Sequence, residues 1–296
     1  LDNNLTFNKT RLAPTPSGFL HLGNIYSFII TAGLAKKSGA KIFLRIDDAD
    51  RERTNKLYVQ DIFDTLNFLG IPWHEGPRTV HEYEREYSQV HRMGMYNKAL
   101  QQLRENHDLF ACRCSRTQVV VNGEDSVYPG TCRNLNLPFD APNVSWRLRT
   151  NKELILEVKT WPDKVVQATL PASMSEFIVR KKDGFPAYQL TSVIDDVYFG
   201  IDLIVRGSDL WNSTLAQLYL SSAIGEGTFK ETTFYHHKLL SGADGNKLSK
   251  SAADTSVQYL RKEGKTPADI FSLIADMLCI EGRFDNWEDL FILMEI

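Results

Sequence analysis

The first 46 residues constrain the fold more than any other part of the chain. An extended stretch, LTFNKTRLA, runs into a loop broken by Pro14, Pro16 and Gly18, residue types that interrupt strands and helices. From Asn24, which is placed to cap a helix, the residues Ile25, Phe28, Ile29, Ala32 and Ala35 recur at helical spacing until Gly39, and KIFLRI then reads as a second strand. A strand, a helix and a strand joined in this way form a βαβ unit, whose crossover implies parallel strands. The Pro/Gly loop then sits at the carboxyl end of the first strand, the edge at which open α/β sheets bind ligands.

The remaining pattern extends this reading. A helix is predicted from Lys56, with Val59, Ile62, Phe63, Leu66 and Leu69 on one face until Gly70 and Pro72, and another from Tyr83 to Glu105. Between 109 and 185 the chain changes to short apolar runs, turns and cysteines, the character of an inserted α+β domain. VIDDVYFGIDLIVRG supplies strand material, Ser213 to Ile224 a helix and TTFYHH another strand, so the parallel sheet is expected to resume over 186–240. Residues 241–296 comprise a basic, glycine-flanked loop and a helical tail with Ile270, Leu273, Ile274 and Leu278 along one face. The expected fold class is α/β: a Rossmann-type parallel sheet built from 1–108 and 186–240, an inserted domain over 109–185 and a short helical tail.

Charge and cysteine usage narrow the setting. With 34 Lys+Arg against 37 Asp+Glu the net charge is −3, so contact with a nucleic acid must use a local surface. No apolar run is long enough to span a bilayer, the amino terminus lacks an apolar signal region, and four cysteines are too few for a disulfide scaffold. Those features lead us to expect a reducing, cytoplasmic compartment and no membrane partner.

Two loops carry phosphate chemistry. His21, Gly23 and Asn24 lie at a helix start, where free backbone N–H groups and the helix dipole favour an anion. Far downstream, Lys247, Ser249 and Lys250 stand in KLSKS behind the loop SGADGN, where two lysines can stabilise the charge that develops as pyrophosphate leaves. A third constellation, Cys112-x-Cys114 followed by Tyr128-x-x-x-Cys132, offers three thiolates to a tetrahedral ion that needs a fourth ligand. Both His107 and Tyr128 are near enough in sequence to supply it; without a metal the three would be buried thiols. Cys279 stands apart in an apolar stretch and is expected in the core. Arg180, Lys181 and Lys182 form a basic run that fits either phosphate contact or a solvated face.

HLGN and KLSKS together resemble the HIGH and KMSKS signatures of class I aminoacyl-tRNA synthetases. RLAPTPSGFLHLGN, RIDDAD, AYQLTSVIDD and IVRGSDL follow in the order of the glutamate/glutamine subgroup, and the likeness covers residues 9 to 251. The resemblance implies an enzyme that joins L-glutamate to ATP as an adenylate, with tRNA as partner. It implies that Arg11, Ala13 and Thr15 hold the amino acid and that Asp47 takes its ammonium group, an aspartate where bacterial glutamyl enzymes usually carry glutamate. Tyr188 would line the pocket and Arg206 pair with the side-chain carboxylate, for which a guanidinium offers two parallel donors. An ion pair of Arg206 with Asp195, Asp196, Asp202 or Asp209 is the alternative. His21, Gly23, Asn24, Lys247, Ser249 and Lys250 would contact ATP and its Mg2+, with His21, Lys247 and Lys250 stabilising phosphate charge. Cys112, Cys114, Cys132 and, through the resemblance, Tyr128 would hold one structural Zn2+.

Only 45 residues follow Ser251, which leads to the expectation of a catalytic core without anticodon-reading domains. The resemblance is then to a short branch of the family that activates glutamate without tRNA and passes it to queuosine in tRNA(Asp), although that branch often has KLSKQ where Ser251 stands. A shortened enzyme charging tRNA(Glu) and a non-catalytic tRNA-binding paralogue are the alternatives.

Overall fold

The computed structural model describes residues 5–115, 118, 120–122, 125–240 and 256–296, so Lys247, Ser249 and Lys250 lie outside the described residues. In chain order the elements begin with β1 (Lys9–Leu12), α1 (Leu22–Ser38), β2 (Lys41–Leu44), α2 (Lys56–Phe68), the single turn α3 (Val80–Glu82) and α4 (Met93–Glu105). They continue with β3 (Leu109–Cys112), β4 (Val120–Asn122), β5 (Asp125–Val127), β6 (Ser145–Leu148), β7 (Ile155–Thr160), β8 (Lys164–Thr169), β9 (Ile178–Arg180) and α5 (Tyr188–Tyr198). The last are β10 (Leu203–Gly207), α6 (Trp211–Ala223), β11 (Thr233–His237), α7 (Val257–Lys262), α8 (Pro267–Met277) and α9 (Trp287–Leu293). Among the described residues no helix is long and apolar enough to cross a membrane.

The chain divides into two compact units. The first comprises Leu1–Gln89, Ile201–Ser208 and Tyr235–Ile296. Its strands run in the order β2-β1-β10-β11, with β1 parallel to β2 (Thr10 opposite Ile42) and to β10 (Thr10 opposite Leu203). The expected α/β architecture with a parallel sheet is therefore present. Helix α1 is buried on most of its surface, as its run YSFIITAGLA requires, and Gly39 ends it at φ 75°, a left-handed conformation that glycine adopts without a Cβ penalty. Its N-cap is His21, not Asn24; the Asn24 side chain instead accepts from the His21 backbone N–H at 3.1 Å. The tail packs on the same helix, with the Phe291 ring lying over Gly33, where a Cβ would come within 2.4 Å of it.

Two sequence expectations in this region give way. The long helix from Tyr83 to Glu105 is broken: a π-turn over Tyr83–Tyr87 and a 3-10 turn over Gln89–Arg92 precede α4. The cause is Asp48, whose carboxylate accepts from Tyr83 Oη (2.7 Å), Ser88 Oγ (2.5 Å) and the Gln89 backbone N–H (2.7 Å), drawing the chain out of helical register. Cys279 is not a core residue but exposed, with φ 57° just beyond the end of α8.

The second unit comprises Val90–Gly200 and Asp209–Phe234 and contains the whole of 109–185. It holds an antiparallel sheet in the order β3-β6-β9 and the hairpin β7–β8, and Thr233 and Phe234 pair in parallel with Lys159 and Thr160 of β7. VIDDVY proves helical rather than extended, because it belongs to α5. Leu190, Val193 and Ile194 line a buried helical face, and the fully buried Asp195 receives Arg92 Nε at 2.7 Å, Arg92 Nη2 at 2.9 Å and Tyr96 Oη at 2.6 Å. A buried carboxylate requires such partners, and the helix presents it to them.

Candidate active site and metal centre

In the first unit, the carboxyl ends of the strands gather the polar residues. His21 caps α1 through its ring: Nδ1 accepts the Gly23 N–H at 3.1 Å, which leaves the imidazole proton on Nε2 as a donor. Gly23 is required for this pose, since a Cβ there would stand 3.0 Å from His21 Cε1 and 3.1 Å from Nδ1. Ser256, where the described chain resumes, forms an antiparallel bridge with His21, and the Val257 N–H donates to the Leu20 carbonyl at 2.8 Å. Ser256 and Val257 are thus anchored beside the helix start.

Arg11, at the end of β1, is 7% exposed and donates through Nη1 to the Val205 carbonyl at 3.1 Å. Arg206, 4% exposed, lies at the end of the adjacent β10. Of the carboxylates offered as alternative partners, Asp195 is taken by Arg92, and Asp202 accepts from the Asn8 and Lys9 backbones. His236, on β11, completes the group, and the sequence reading missed it: TTFYHH announced a strand and nothing more. Burial, and beyond it the charges of Arg206, His237 and Arg11, push its imidazole down to about 3, so it is neutral near pH 7. Two buried guanidiniums beside a neutral imidazole make a place suited to a carboxylate.

Asp47 is buried beyond the end of β2, held by its backbone N–H on the Pro14 carbonyl at 3.0 Å. Both its oxygens accept from Arg45, Oδ1 from Nε at 2.7 Å and Oδ2 from Nη2 at 3.0 Å. Arg45 was also missed, although it opens the RIDDAD segment. Ala13 is half-buried and Thr15 exposed in the loop after β1, whereas Tyr188, exposed at the start of α5, belongs to the second unit.

The cysteine constellation lies wholly in that second unit. Cys112 ends β3, and Cys114 and Cys132 reach it so that all three Sγ atoms fall within 4.8 Å of one another. Cys114 Sγ is 3.6 Å from Cys132 Sγ, and Tyr128 Oη is 3.4 Å from Cys112 Sγ while accepting the Cys132 N–H at 2.9 Å. Around a tetrahedral zinc ion, thiolates stand about 3.8 Å apart and a thiolate and an oxygen about 3.5 Å, so the group is compatible with a metal. His107 is exposed at the end of α4, outside that group. Burial raises the Cys112 thiol, but hydrogen bonding to Tyr128 and the Arg147 guanidinium outweigh it and bring the thiol down to about 7. Burial and the two neighbouring thiols push Cys114 up to about 11, since without a cation the sulfurs resist sharing negative charge. In the basic run, Lys181 pairs with Asp183 and Arg180 stacks on Trp146.

Comparison with known proteins matches this arrangement. The family described as tRNA synthetases class I (E and Q), catalytic domain, matches residues 8–281. A glutamyl-Q tRNA(Asp) synthetase of Prochlorococcus marinus is 34% identical over 90% of this chain and 80% of its own length. A glutamate–tRNA ligase 2 of Syntrophus aciditrophicus is 31% identical over 92% of this chain, which spans 57% of that relative. Among solved structures, a glutamate-tRNA synthetase from Elizabethkingia anophelis superposes with a TM-score of 0.72 at 22% identity, over 90% of this chain and 61% of that one, a likeness of fold. With the strand ends, the capped helix start and the family match in agreement, this chain belongs to the class I tRNA synthetases of the E and Q group, a family of ligases, and spans their catalytic domain.

Proposed function

We propose that this protein activates L-glutamate with ATP, without needing tRNA for that step, and transfers the glutamyl group to queuosine in tRNA(Asp). One observation carries the choice of amino acid: Arg11 and Arg206, both buried, end adjacent strands beside a neutral His236. A carboxylate side chain matches the parallel donors of a guanidinium, whereas the amide of glutamine has nothing to offer one through its NH2. Asp47, braced by Arg45, receives the substrate ammonium, and Ala13 and Thr15 shape the site.

The glutamate α-carboxylate oxygen attacks the α-phosphorus of ATP, the bond to the β-phosphate breaks, and pyrophosphate leaves. His21 donates from Nε2 to a phosphate oxygen at the start of α1, with Gly23 and Asn24 beside it. Lys247, Ser249 and Lys250 complete the phosphate contacts, and Mg2+ neutralises phosphate charge. A queuosine hydroxyl then attacks the acyl carbon, AMP departs with the bonding electrons, and the hydroxyl proton is released. Positioning and electrostatics carry both steps, so no protein nucleophile is needed. Cys112, Cys114, Cys132 and Tyr128 hold one structural Zn2+, and their free thiols fit a cytoplasmic setting.

Support for the acceptor comes from relatives named glutamyl-Q tRNA(Asp) synthetase at 34% and 35% identity, each matched over 80% or more of its length. Similarity to a glutamate–tRNA ligase 2 favours a second reading, charging of tRNA(Glu). The test is glutamate-dependent pyrophosphate exchange without RNA, followed by transfer of radiolabelled glutamate to each tRNA. Label on tRNA(Asp) that vanishes when queuosine is lacking is expected; label on tRNA(Glu) would select the second reading. Absence of exchange would refute activation itself.

A further inference from the structure

Arg147, whose guanidinium hydrogen-bonds Cys112, carries a buried charge that no described carboxylate balances. It lies on β6, 6% exposed, with its guanidinium 3.8 Å from the centroid of the Tyr128 ring. Nη1 donates to the Glu176 carbonyl at 2.8 Å, while Nε is buried without an acceptor. The Glu176 carboxylate pairs with Arg133 instead, and among the described residues no carboxylate pairs with Arg147. A cation withdrawn from water in this way is costly unless an anion faces it.

We propose that Arg147 is the buried counter-cation of the metal centre, and that the anion it faces is the ligand set formed when a divalent ion binds Cys112, Cys114, Cys132 and Tyr128. The inference rests on the zinc reading above. Three thiolates and a phenolate outweigh a divalent ion by two negative charges, an excess that a buried site must compensate locally. Arg147 does so from the face of the Tyr128 ring, because a guanidinium is drawn to an aromatic face. Stacking also holds the ring so that Oη points at Cys112 Sγ and the Cys132 N–H, the orienting work that outer partners of metal ligands perform.

The test uses the intact chain with two variants, Arg147→Met, which keeps length and loses charge, and Arg147→Lys, which keeps charge. Zinc affinity is read by competition with a chromophoric chelator. Arg147→Met should weaken zinc by about 10- to 100-fold, and Arg147→Lys should recover a large part of that loss. Urea unfolding of metal-free protein separates this role from packing: without the metal only the Cys112 and Glu176 contacts offset the cost of burying the charge, so metal-free Arg147→Met should lose little stability against metal-free wild type. Unchanged zinc affinity in Arg147→Met, equal losses in both variants, or a clearly less stable metal-free Arg147→Met would each overturn the inference while leaving the zinc reading intact. Wild-type protein that binds no zinc would instead refute the zinc reading, and this inference with it.

Discussion

The strand-end pocket of the first unit and the thiol cluster of the second are opposite solutions to one electrostatic problem. In the pocket, Arg11 and Arg206 come from distant parts of the sequence, and the parallel sheet brings two fixed positive charges together beside an imidazole kept neutral. In the cluster, the four groups lie within 21 residues, and their charge is latent, since Cys114 is pushed up to about 11 while no cation is bound. A site with fixed charge stands ready for its anion at any pH near neutrality. One with latent charge would acquire it only together with a bound ion, which would couple its local fold to that ion.

That contrast can be broken experimentally, and the largest effect is expected in the cluster. Cys114→Ser should lose stoichiometric zinc, and hydrogen exchange should show opening around β3, β6 and β9 with the β2-β1-β10 region unaffected. Zinc retained in full would separate the metal from the thiols. Next in size is Arg206→Ala, which should lower glutamate-dependent pyrophosphate exchange by about 10- to 1,000-fold through loss of a charge-assisted pair and the stranded substrate carboxylate. ATP affinity should hardly change; wild-type exchange would remove Arg206 from the pocket.

Gly23→Ala sharpens the comparison from the phosphate side. Its Cβ would press on the His21 ring, which must give by a few tenths of an ångström, and exchange should fall by up to about 10-fold, less than the cost of a misplacement near 1 Å, with glutamate affinity retained. Equal losses in both would show that the helix start is not confined to phosphate. The smallest effect concerns pH. His236 ionises near 6.5 in the unfolded chain and near 3 in the folded one, so between these values the unfolded chain binds more protons. Stability from this group is complete above about pH 6.5 and declines as pH falls, by at most about 1.4 kcal/mol per pH unit and less for the solvent that reaches the ring. His236→Gln should flatten urea-unfolding stability between pH 6.5 and 5; an unchanged slope would place the acid sensitivity elsewhere.

What could be read in advance follows the same division. The group Cys112, Cys114 and Cys132 was legible because thiols close in sequence leave a spacing, with Tyr128 added only by the family resemblance, and the βαβ unit was legible because Pro/Gly punctuation and helical periodicity are local. Arg45 and His236 went unread: one is a single charge beside a more conspicuous aspartate, the other the end of a strand. The role of His236 depends on neighbours supplied by other strands, whereas Arg45 braces an acid two residues along the chain. VIDDVY was misread because a short apolar run fits a buried strand or a helix equally well, and what decides it is the demand of Asp195 for Arg92 and Tyr96.

By itself, therefore, the sequence determined the α/β class, the glycine and histidine at the helix start and the set of thiols, all consequences of spacing within a few turns of chain. Only the tertiary structure decided which arginine meets which acid. Arg92 takes Asp195, distant in sequence, while Arg11 and Arg206 share the strand ends with His236. The physical reason is that an ion pair forms across a few ångströms of space and that burial sets its strength, and neither distance nor burial is written in the order of the residues.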